Sequence, residues 1–121
     1  MAIGQEPAFR YELEESEDAT GWKTTRIRCH GRLVSQNAGE VKELVKPLIL
    51  RGGRIVIDLA DVNYLDSSGL GALVGLKVSA LNQGLCKLEL ENLTPRIKEL
   101  LSMTNLLQLF SSQAEDGELA S

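Results

Sequence analysis

Hydrophobic and polar positions alternate along the first part of the chain in a way that predicts a β-hairpin. Apolar residues alternate with charged ones over residues 9–14, and after a polar turn at residues 17–21 the alternation resumes over residues 25–29. Because neighbouring side chains of a strand point to opposite faces, this period of two indicates strands with one face exposed to water. The short polar connection favours an antiparallel pair.

The next segment changes to helical spacing. Apolar residues at positions 41, 44, 45, 48 and 49 recur as they do on one face of a helix. Ser35 or Asn37 is available as the N-cap, because either side chain can accept a hydrogen bond from a free amide of the first turn. Pro47 has no amide hydrogen, so we expect it to kink or end this helix near its last turn.

Two further strands are predicted on either side of a second helix. Residues 55–59 form a β-branched run without alternation, which is typical of a central, parallel strand that is buried on both faces. Residues 68–83 predict a helix that Gly84 ends. The alternation over residues 85–90 predicts another strand.

The C-terminal part of the chain contains a strong helix start. Thr94 can cap the free amides, and Pro95 suits the first helical position because its missing amide hydrogen loses no bond there. We expect this third helix to end near Met103. The apolar run at residues 106–110 predicts a last edge strand.

The predicted order is β-β-α-β-α-β-α-β, which places the chain in the α/β class. Strands separated by helices favour right-handed parallel crossovers, and the first hairpin adds an antiparallel edge. We therefore expect one mixed sheet of four to five strands, packed with three to four helices, in a single domain over residues 1–112. Residues 113–121 are polar and acidic and predict a disordered tail.

Charge and composition narrow the range of functions. The 121 residues carry a net charge of -4, and the 13 Lys and Arg residues are scattered along the chain. This argues against nucleic acid as a partner, because neutralising phosphates needs a basic face. Since no apolar run is long enough for a membrane span and no signal peptide is recognisable, we expect a cytoplasmic protein with a protein partner.

The two cysteines, Cys29 and Cys86, lie in predicted strands and lack the spacing of a metal site. Small buried hydrophobic residues are expected at such positions, and a buried thiol fits them. We interpret both as structural thiols, and we predict neither a metal site nor a cofactor.

The boundary between the buried strand and the second helix concentrates the candidate chemistry. Asp66 and Ser67 stand where the amides of the first helical turn are free, so either side chain can cap the helix. Capping does not account for Gly69 and Gly71, each of which destabilises a helix by up to about 1 kcal/mol relative to alanine. We therefore expect another group to approach this backbone closely.

One face of the second helix carries only small, uncharged side chains. Its members are Ser68, Ala72, Gly75, Ser79 and Asn82, with Gly71 beside them. Exposed helix faces usually carry Lys and Glu, so this face suits a surface against which another protein packs. Burial within the same domain, or pairing with a second copy of the chain, are the alternatives.

The opposite arc of this helix is apolar and is expected to be buried. It includes Leu70, Leu73 and Leu81. Lys77 lies within this arc, and we expect its ammonium group to reach solvent along its aliphatic stem.

Ser67 is the natural acceptor for a phosphoryl group. The partial positive charge and free amides of a helix N-terminus stabilise an anion, so phosphorylation there adds charge without unfolding the chain. The added charge of about -1.5 to -2 would lie beside Asp66, at one end of the small-residue face. A modest repulsion is enough to switch docking, because about 1.4 kcal/mol changes an affinity tenfold.

Residues 58–71, which read DLADVNYLDSSGLG, resemble the signature of the STAS domain, and specifically that of bacterial anti-sigma-factor antagonists. The element order extends the resemblance over about residues 8–112. In that family the serine after the motif aspartate, here Ser67, is phosphorylated by a partner that is both an anti-sigma factor and a serine kinase. The resemblance implies that the unphosphorylated form binds this partner and frees a sigma factor, and that a serine phosphatase resets the switch.

The motif and the small-residue face together predict a partner-binding surface. Its residues are Asp66, Ser67, Ser68, Gly69, Gly71, Ala72, Gly75 and Ser79. One segment departs from the family pattern, since many antagonists carry Gly-Glu-Leu-Asp after the second strand and this chain has Val34 in place of the acid. Ser35 is a candidate substitute for that acid. Without a substitute, the chain would be a binding module with weak switching or none.

Other functions share some of these features. Serine catalysis would need a base near Ser67, and the sequence offers only His30 and no Gly-x-Ser-x-Gly elbow. Nucleotide hydrolysis would need a Gly-Lys-Ser/Thr motif, which is missing, although weak nucleotide binding stays open. We therefore predict that the protein is not an enzyme, and we rank a STAS module of a scaffold or transporter assembly second to the antagonist.

Overall fold

The computed structural model describes residues 9–114 and shows four strands and four helices in that part of the chain. In chain order they are β1 (Phe9–Glu17), β2 (Lys23–Leu33), α1 (Ser35–Arg51), β3 (Gly53–Leu65), α2 (Ser67–Gln83), β4 (Cys86–Glu91), α3 (Pro95–Met103) and α4 (Leu107–Ala114). None of these helices is long and apolar enough to cross a bilayer.

The four strands form one mixed sheet in the order β1-β2-β3-β4. The pair β1 and β2 is antiparallel, whereas β3 is parallel to both β2 and β4. The predicted hairpin and the predicted central parallel strand are therefore confirmed. Strand β3 is longer than predicted, with 13 residues, and it runs the full length of the sheet.

Helices α1 and α2 pack against each other and against one face of the sheet. The centre of this core contains Val45 of α1, Leu59 of β3 and Leu73 of α2, whose side chains are fully buried. Helix α1 connects β2 to β3, and helix α2 connects β3 to β4. Because both crossovers run in the same direction along the sheet, right-handed connections place the two helices on the same side. The two helix starts consequently lie next to each other.

The other face of the sheet is lined by ion pairs. Arg26 donates a hydrogen bond to Glu91 and lies 3.9 Å from Asp58, while Arg54 donates two hydrogen bonds to Glu89 at 3.0 and 2.7 Å. The hydrogen bond with Glu91 raises the pKa of the Arg26 guanidinium. These residues alternate along the strands with core residues, which explains why the face is charged.

The predicted edge strand at residues 106–110 is wrong, because this run opens helix α4. Asn105 adopts a left-handed backbone with φ of 61°, and the Leu106 amide donates to the Leu101 carbonyl at 2.8 Å, which turns the chain. Phe110 lies in α4, and its side chain is buried in the hydrophobic core. Helix α4 also includes Gln113 and Ala114, the first residues assigned to the tail, while residues 115–121 lie outside the described part.

Helix α1 differs from its prediction at its start. Val34 occupies the N-cap position, and Asn37 accepts a hydrogen bond from the Val34 amide through Oδ1 at 2.9 Å. The helix continues one turn past Pro47 to Arg51, so the proline lies at the start of the last turn and the helix ends there, near the predicted place. Pro47 and Glu43 are both exposed, and water can therefore solvate the Glu43 carbonyl that the proline leaves without a donor.

Candidate functional site

The candidate site lies where strands β2 and β3 end side by side. Leu33 and Leu65, the last residues of these parallel strands, are partners in the sheet register. The chain turns from each strand directly into a helix, with Val34 at the N-cap of α1 and Asp66 at the N-cap of α2. The amides of two helix N-termini therefore converge on one edge of the sheet.

The Asp66 carboxylate caps both helices at once. Its Oδ1 accepts a hydrogen bond from the Gly69 amide at 2.9 Å, and its Oδ2 accepts one from the Ser35 amide at 3.1 Å. The first bond confirms the predicted cap of α2. The second bond joins residues that are 31 positions apart in the sequence, and it supplies α1 with a carboxylate that Val34 cannot provide.

Gly69 is required because the Leu33 carbonyl packs directly against it. A Cβ atom at this position would lie 2.2 Å from the Leu33 oxygen, well inside any tolerated contact. The same oxygen accepts a hydrogen bond from the Asp66 amide at 3.3 Å. The close approach expected at Gly69 is therefore confirmed, and it comes from within the chain. Gly71 has nothing within 4 Å of the corresponding position.

Ser67 is the first residue of α2, and its side chain is exposed. Ser68 beside it is exposed as well, and so is Ser35 at the start of α1. A phosphoryl group on Ser67 would meet the positive ends of two helices. It would also lie next to the Asp66 carboxylate, which opposes it by like charge.

The small-residue face of α2 is only partly exposed. Ala72 is buried against the rest of the domain, so its predicted place on an outward face is wrong, and Gly69 of the predicted partner-binding set is buried as well. The exposed members of the predicted partner-binding set are Ser67, Ser68, Gly71, Gly75 and Ser79. Leu81 was expected in the core but is 53% exposed. The buried side of α2 is thus rotated toward Ala72 and Leu76.

The prediction that the Lys77 ammonium group reaches solvent is wrong, because the side chain is only 1% exposed. Its Nζ donates a hydrogen bond to the Leu88 carbonyl of β4 at 2.9 Å. The aliphatic stem is long enough to cross the helix–sheet interface, so the ammonium group finds a backbone oxygen within the core. The position therefore joins α2 to β4, and it does not contribute to the surface.

His30 is held by two carboxylates and is unsuited to act as a base for Ser67. Its Nδ1 lies 2.5 Å from an Asp61 oxygen, and its Nε2 lies 3.1 Å from a Glu12 oxygen. The hydrogen bond with Asp61, and then that with Glu12, raises the pKa of the imidazole above its usual 6.5. Both ring nitrogens are thus engaged on the outer face of the sheet.

Both cysteines are buried free thiols. Burial raises the pKa of Cys29 to about 12, with a smaller contribution from Asp58, and burial also raises the pKa of Cys86. A thiol that stays protonated is a poor nucleophile and a poor metal ligand. Their interpretation as buried structural residues is confirmed.

A groove of about 310 Å³ lies beside the site, between the end of β3 and helix α3. Its lining residues are Tyr64, Leu65, Arg96, Ile97, Glu99, Leu100 and Met103. Arg32 places its guanidinium 5.5 Å from the centre of the Tyr64 ring, at the rim of this region. Sequence reasoning assigned no role to α3 here, although Tyr64 lies within the recognised motif.

Comparison with known proteins identifies the class. The family model of the STAS domain matches residues 11–118, and the chain therefore belongs to the STAS domain family. The anti-sigma-B factor antagonist of Bacillus subtilis (strain 168) is 34% identical over 94 residues, which cover 76% of this chain and 85% of that protein. The anti-sigma-B factor antagonist of Staphylococcus aureus (strain NCTC 8325 / PS 47) is 34% identical over 94 residues, with 77% and 86% covered.

A solved structure confirms the fold. The anti-sigma factor antagonist SpoIIAA in its unphosphorylated form superposes with a TM-score of 0.65 at 20% sequence identity. The superposition covers 83% of this chain and 84% of SpoIIAA. The order of strands and helices up to α3, predicted from periodicity, is thus that of the STAS fold.

Proposed function

We propose that this protein is an anti-sigma factor antagonist whose binding is switched by phosphorylation of Ser67. The unphosphorylated form binds an anti-sigma factor that is also a serine kinase, and it thereby frees a sigma factor for transcription. The observation that carries this proposal is the exposed Ser67 at the start of α2, directly after an aspartate that caps two helices. The relatives named as anti-sigma-B factor antagonists support the same role.

The chemistry of the switch is phosphoryl transfer to a side chain that is ready to receive it. The Ser67 Oγ attacks the γ-phosphorus of ATP bound to the kinase, the bond to the ADP oxygen breaks, and a base of the kinase takes the hydroxyl proton. The antagonist supplies only the acceptor and its geometry. The product charge of about -1.5 to -2 then lies at the docking face, next to Asp66.

Asp66 explains how the site functions without an acid at position 34. Val34 is buried at the N-cap of α1, and the Asp66 carboxylate takes the Ser35 amide in its place. One carboxylate thus serves two helices, and the kinase meets an ordered Ser67 and Ser35 on the same edge. Ser35 itself contributes its amide to this arrangement, and its exposed hydroxyl stays available to a partner.

The binding surface that we propose runs along one exposed side of α2, from Ser67 to Ser79. Gly71, Gly75 and Ser79 follow Ser67 at intervals of four residues. A partner can approach the backbone closely at these positions, because none of them carries a side chain larger than a hydroxymethyl group. A phosphate on Ser67 would extend from one end of that surface and obstruct docking by charge and by volume.

The test is phosphorylation by the serine-kinase-type anti-sigma factors encoded in the same genome. Each kinase is incubated with the protein and ATP, and the added phosphate is read by intact mass, with Ser67→Ala and the neighbouring Ser68→Ala as matched variants. We expect one phosphate in the wild type and in Ser68→Ala, none in Ser67→Ala, and loss of kinase binding after modification.

Two other results would change the proposal. Tight binding without a phosphate would make the protein a constitutive antagonist. Neither binding nor phosphate with any such kinase would contradict the antagonist role and favour a scaffold. A serine phosphatase from the same genome should remove the phosphate and restore binding if the switch is reversible.

A further inference from the structure

A second surface lies at the opposite end of the sheet from Ser67. Four large apolar side chains are exposed there: Trp22 (43%), Leu50 (72%), Leu81 (53%) and Leu85 (71%). We refer to these four residues as the distal surface. Strand β3 begins at this end and finishes at the Ser67 site, a length of roughly 40 Å for its 13 residues.

Two adjacent glycines bring the parts of the distal surface together. The Gly53 amide donates to the Leu85 carbonyl at 2.9 Å, and a Cβ atom on Gly53 would lie 2.7 Å from the Lys23 carbonyl. A Cβ atom on Gly52 would lie 3.7 Å from that of Leu85. The turn after β1, the end of α1 and the turn before β4 therefore meet at one place, with Trp22, Leu50 and Leu85 around it.

The distal surface is concave in two places. One groove of about 240 Å³ is lined by Trp22, Leu81, Leu85 and Lys87, among others. A second groove of about 230 Å³ is lined by Ile49, Leu50, Ser79 and Lys46, again among others. The last turn of α2 separates the two grooves, because Ser79 lines one and Leu81 the other.

The charged residues that line the grooves are lysines. Lys46 lines one groove and Lys87 the other, and no carboxylate is among the described residues that line either groove. Both lysines are exposed, and neither forms an ion pair with another described side chain. The acid closest in sequence to Trp22 on this turn, Asp18, is already occupied by the Thr20 hydroxyl and the Trp22 amide.

We propose that the distal surface docks a segment of another protein that carries apolar side chains together with Asp or Glu. The apolar groups would fill the two grooves, and the carboxylates would pair with the unmatched lysines. A second copy fits poorly, because a two-fold contact would bring the same lysines toward each other. A bilayer fits poorly as well, because grooves accept side chains and the chain carries a net charge of -4.

Docking at the groove of Trp22 and Leu85 is independent of the switch. This groove shares no residue with the partner-binding surface proposed above, whereas the second groove shares Ser79 with it. The protein can therefore hold one partner at the groove of Trp22 and Leu85 while phosphorylation controls another. Failure of the antagonist proposal would leave this inference standing, and the reverse also holds.

The test uses random peptides displayed on phage and selected on the full-length protein. Selected peptides are synthesised and titrated while the emission of Trp22, the single tryptophan of the chain, is recorded. The affinities are then measured for Leu85→Ser/Lys87→Glu and for a control, Leu13→Ser/Lys98→Glu, whose sites are also exposed but lie elsewhere. Thermal unfolding of each variant confirms that it is folded.

We expect peptides rich in Asp or Glu beside Leu or aromatic residues, a blue shift of Trp22 emission, and an affinity loss of about tenfold or more in the distal variant alone. Ser67→Asp should bind such peptides as the wild type does. Equal affinity in the distal variant, or peptides without acidic residues, would overturn the proposal. So would a Trp22 shift seen only with vesicles of phosphatidylcholine and phosphatidylglycerol.

Discussion

The two ends of the sheet have opposite chemistry although the same strand connects them. At the end of β3 two helices begin with exposed serines, and one carboxylate organises their amides. At its start two helices finish, and Leu, Trp and Lys face outward. The common direction of the parallel strands thus gathers helix starts, which suit a charge switch, at one end of the sheet and helix ends with apolar side chains at the other.

The largest expected effect concerns Gly69, where the switch end is packed most tightly. Gly69→Ala places a methyl group 2.2 Å from the Leu33 carbonyl, so we expect it to lower the free energy of unfolding by about 3 kcal/mol or to prevent folding. Gly71→Ala is the matched control, since it has open space and should stabilise the helix by up to about 1 kcal/mol. Urea unfolding measures both. Similar losses in the two variants would refute the packing argument.

Asp66 gives the next largest effect, because it serves two helices. Asp66→Ala removes both caps and should lower the free energy of unfolding by about 2 kcal/mol, at about 1 kcal/mol for each cap. Asp66→Asn keeps one accepting oxygen and should lose about half as much.

Thr94→Ala removes a single cap, at the start of α3, and is the reference for these two variants. If Asp66→Ala lost no more stability in urea than Thr94→Ala, the bond to Ser35 would contribute nothing.

The distal surface should respond very differently to substitution. Leu81→Ser and Leu85→Ser change exposed side chains, so we expect their free energies of unfolding to stay within about 0.5 kcal/mol of the wild type. Chemical denaturation checks this, with exposed Leu13→Ser as the control. A loss of unfolding free energy as large as that of Gly69→Ala would mean that these leucines stabilise the fold, and the two ends of the sheet would then not differ in this respect.

The smallest effect is a pH dependence on the outer face of the sheet, toward the switch end. Because Asp61 and Glu12 raise the pKa of His30 above 6.5, its contribution to stability is complete below pH 6.5 and is lost as the pH rises through the raised value. The difference in unfolding free energy between the wild type and His30→Gln should therefore decline over that range. A difference that grows with pH would contradict a raised pKa of His30 in the folded state.

Local patterns predicted most of the fold. The hairpin, the buried central strand and the Thr94 cap depend on residues close in sequence, and each is confirmed. The run at residues 106–110 was misassigned because its apolar residues fit a short strand and a short helix equally well. Its true state depends on the turn at Asn105, which a periodic pattern does not reveal.

The candidate site was predictable only in part. Asp66 and Ser67 follow from the strand-to-helix boundary, but the bond from Ser35 to Asp66 spans 31 positions and needs the sheet register. The orientation of α2 was also missed, because small residues on several sides leave the helix with a weak apolar stripe. Ala72 and Lys77 could therefore be placed only once the packing of α2 on β4 was known.

The shared cap at Asp66 also sets how this end of the molecule opens. One carboxylate holds the first turn of α1 through Oδ2 and the first turn of α2 through Oδ1, so a rotation of the Asp66 side chain that breaks one bond also displaces the oxygen of the other. The amides of Ser35 and Gly69 should then exchange their hydrogens with solvent as one cooperative unit. A perturbation that begins at Ser67 would reach α1 through a single side chain, before any change in the core.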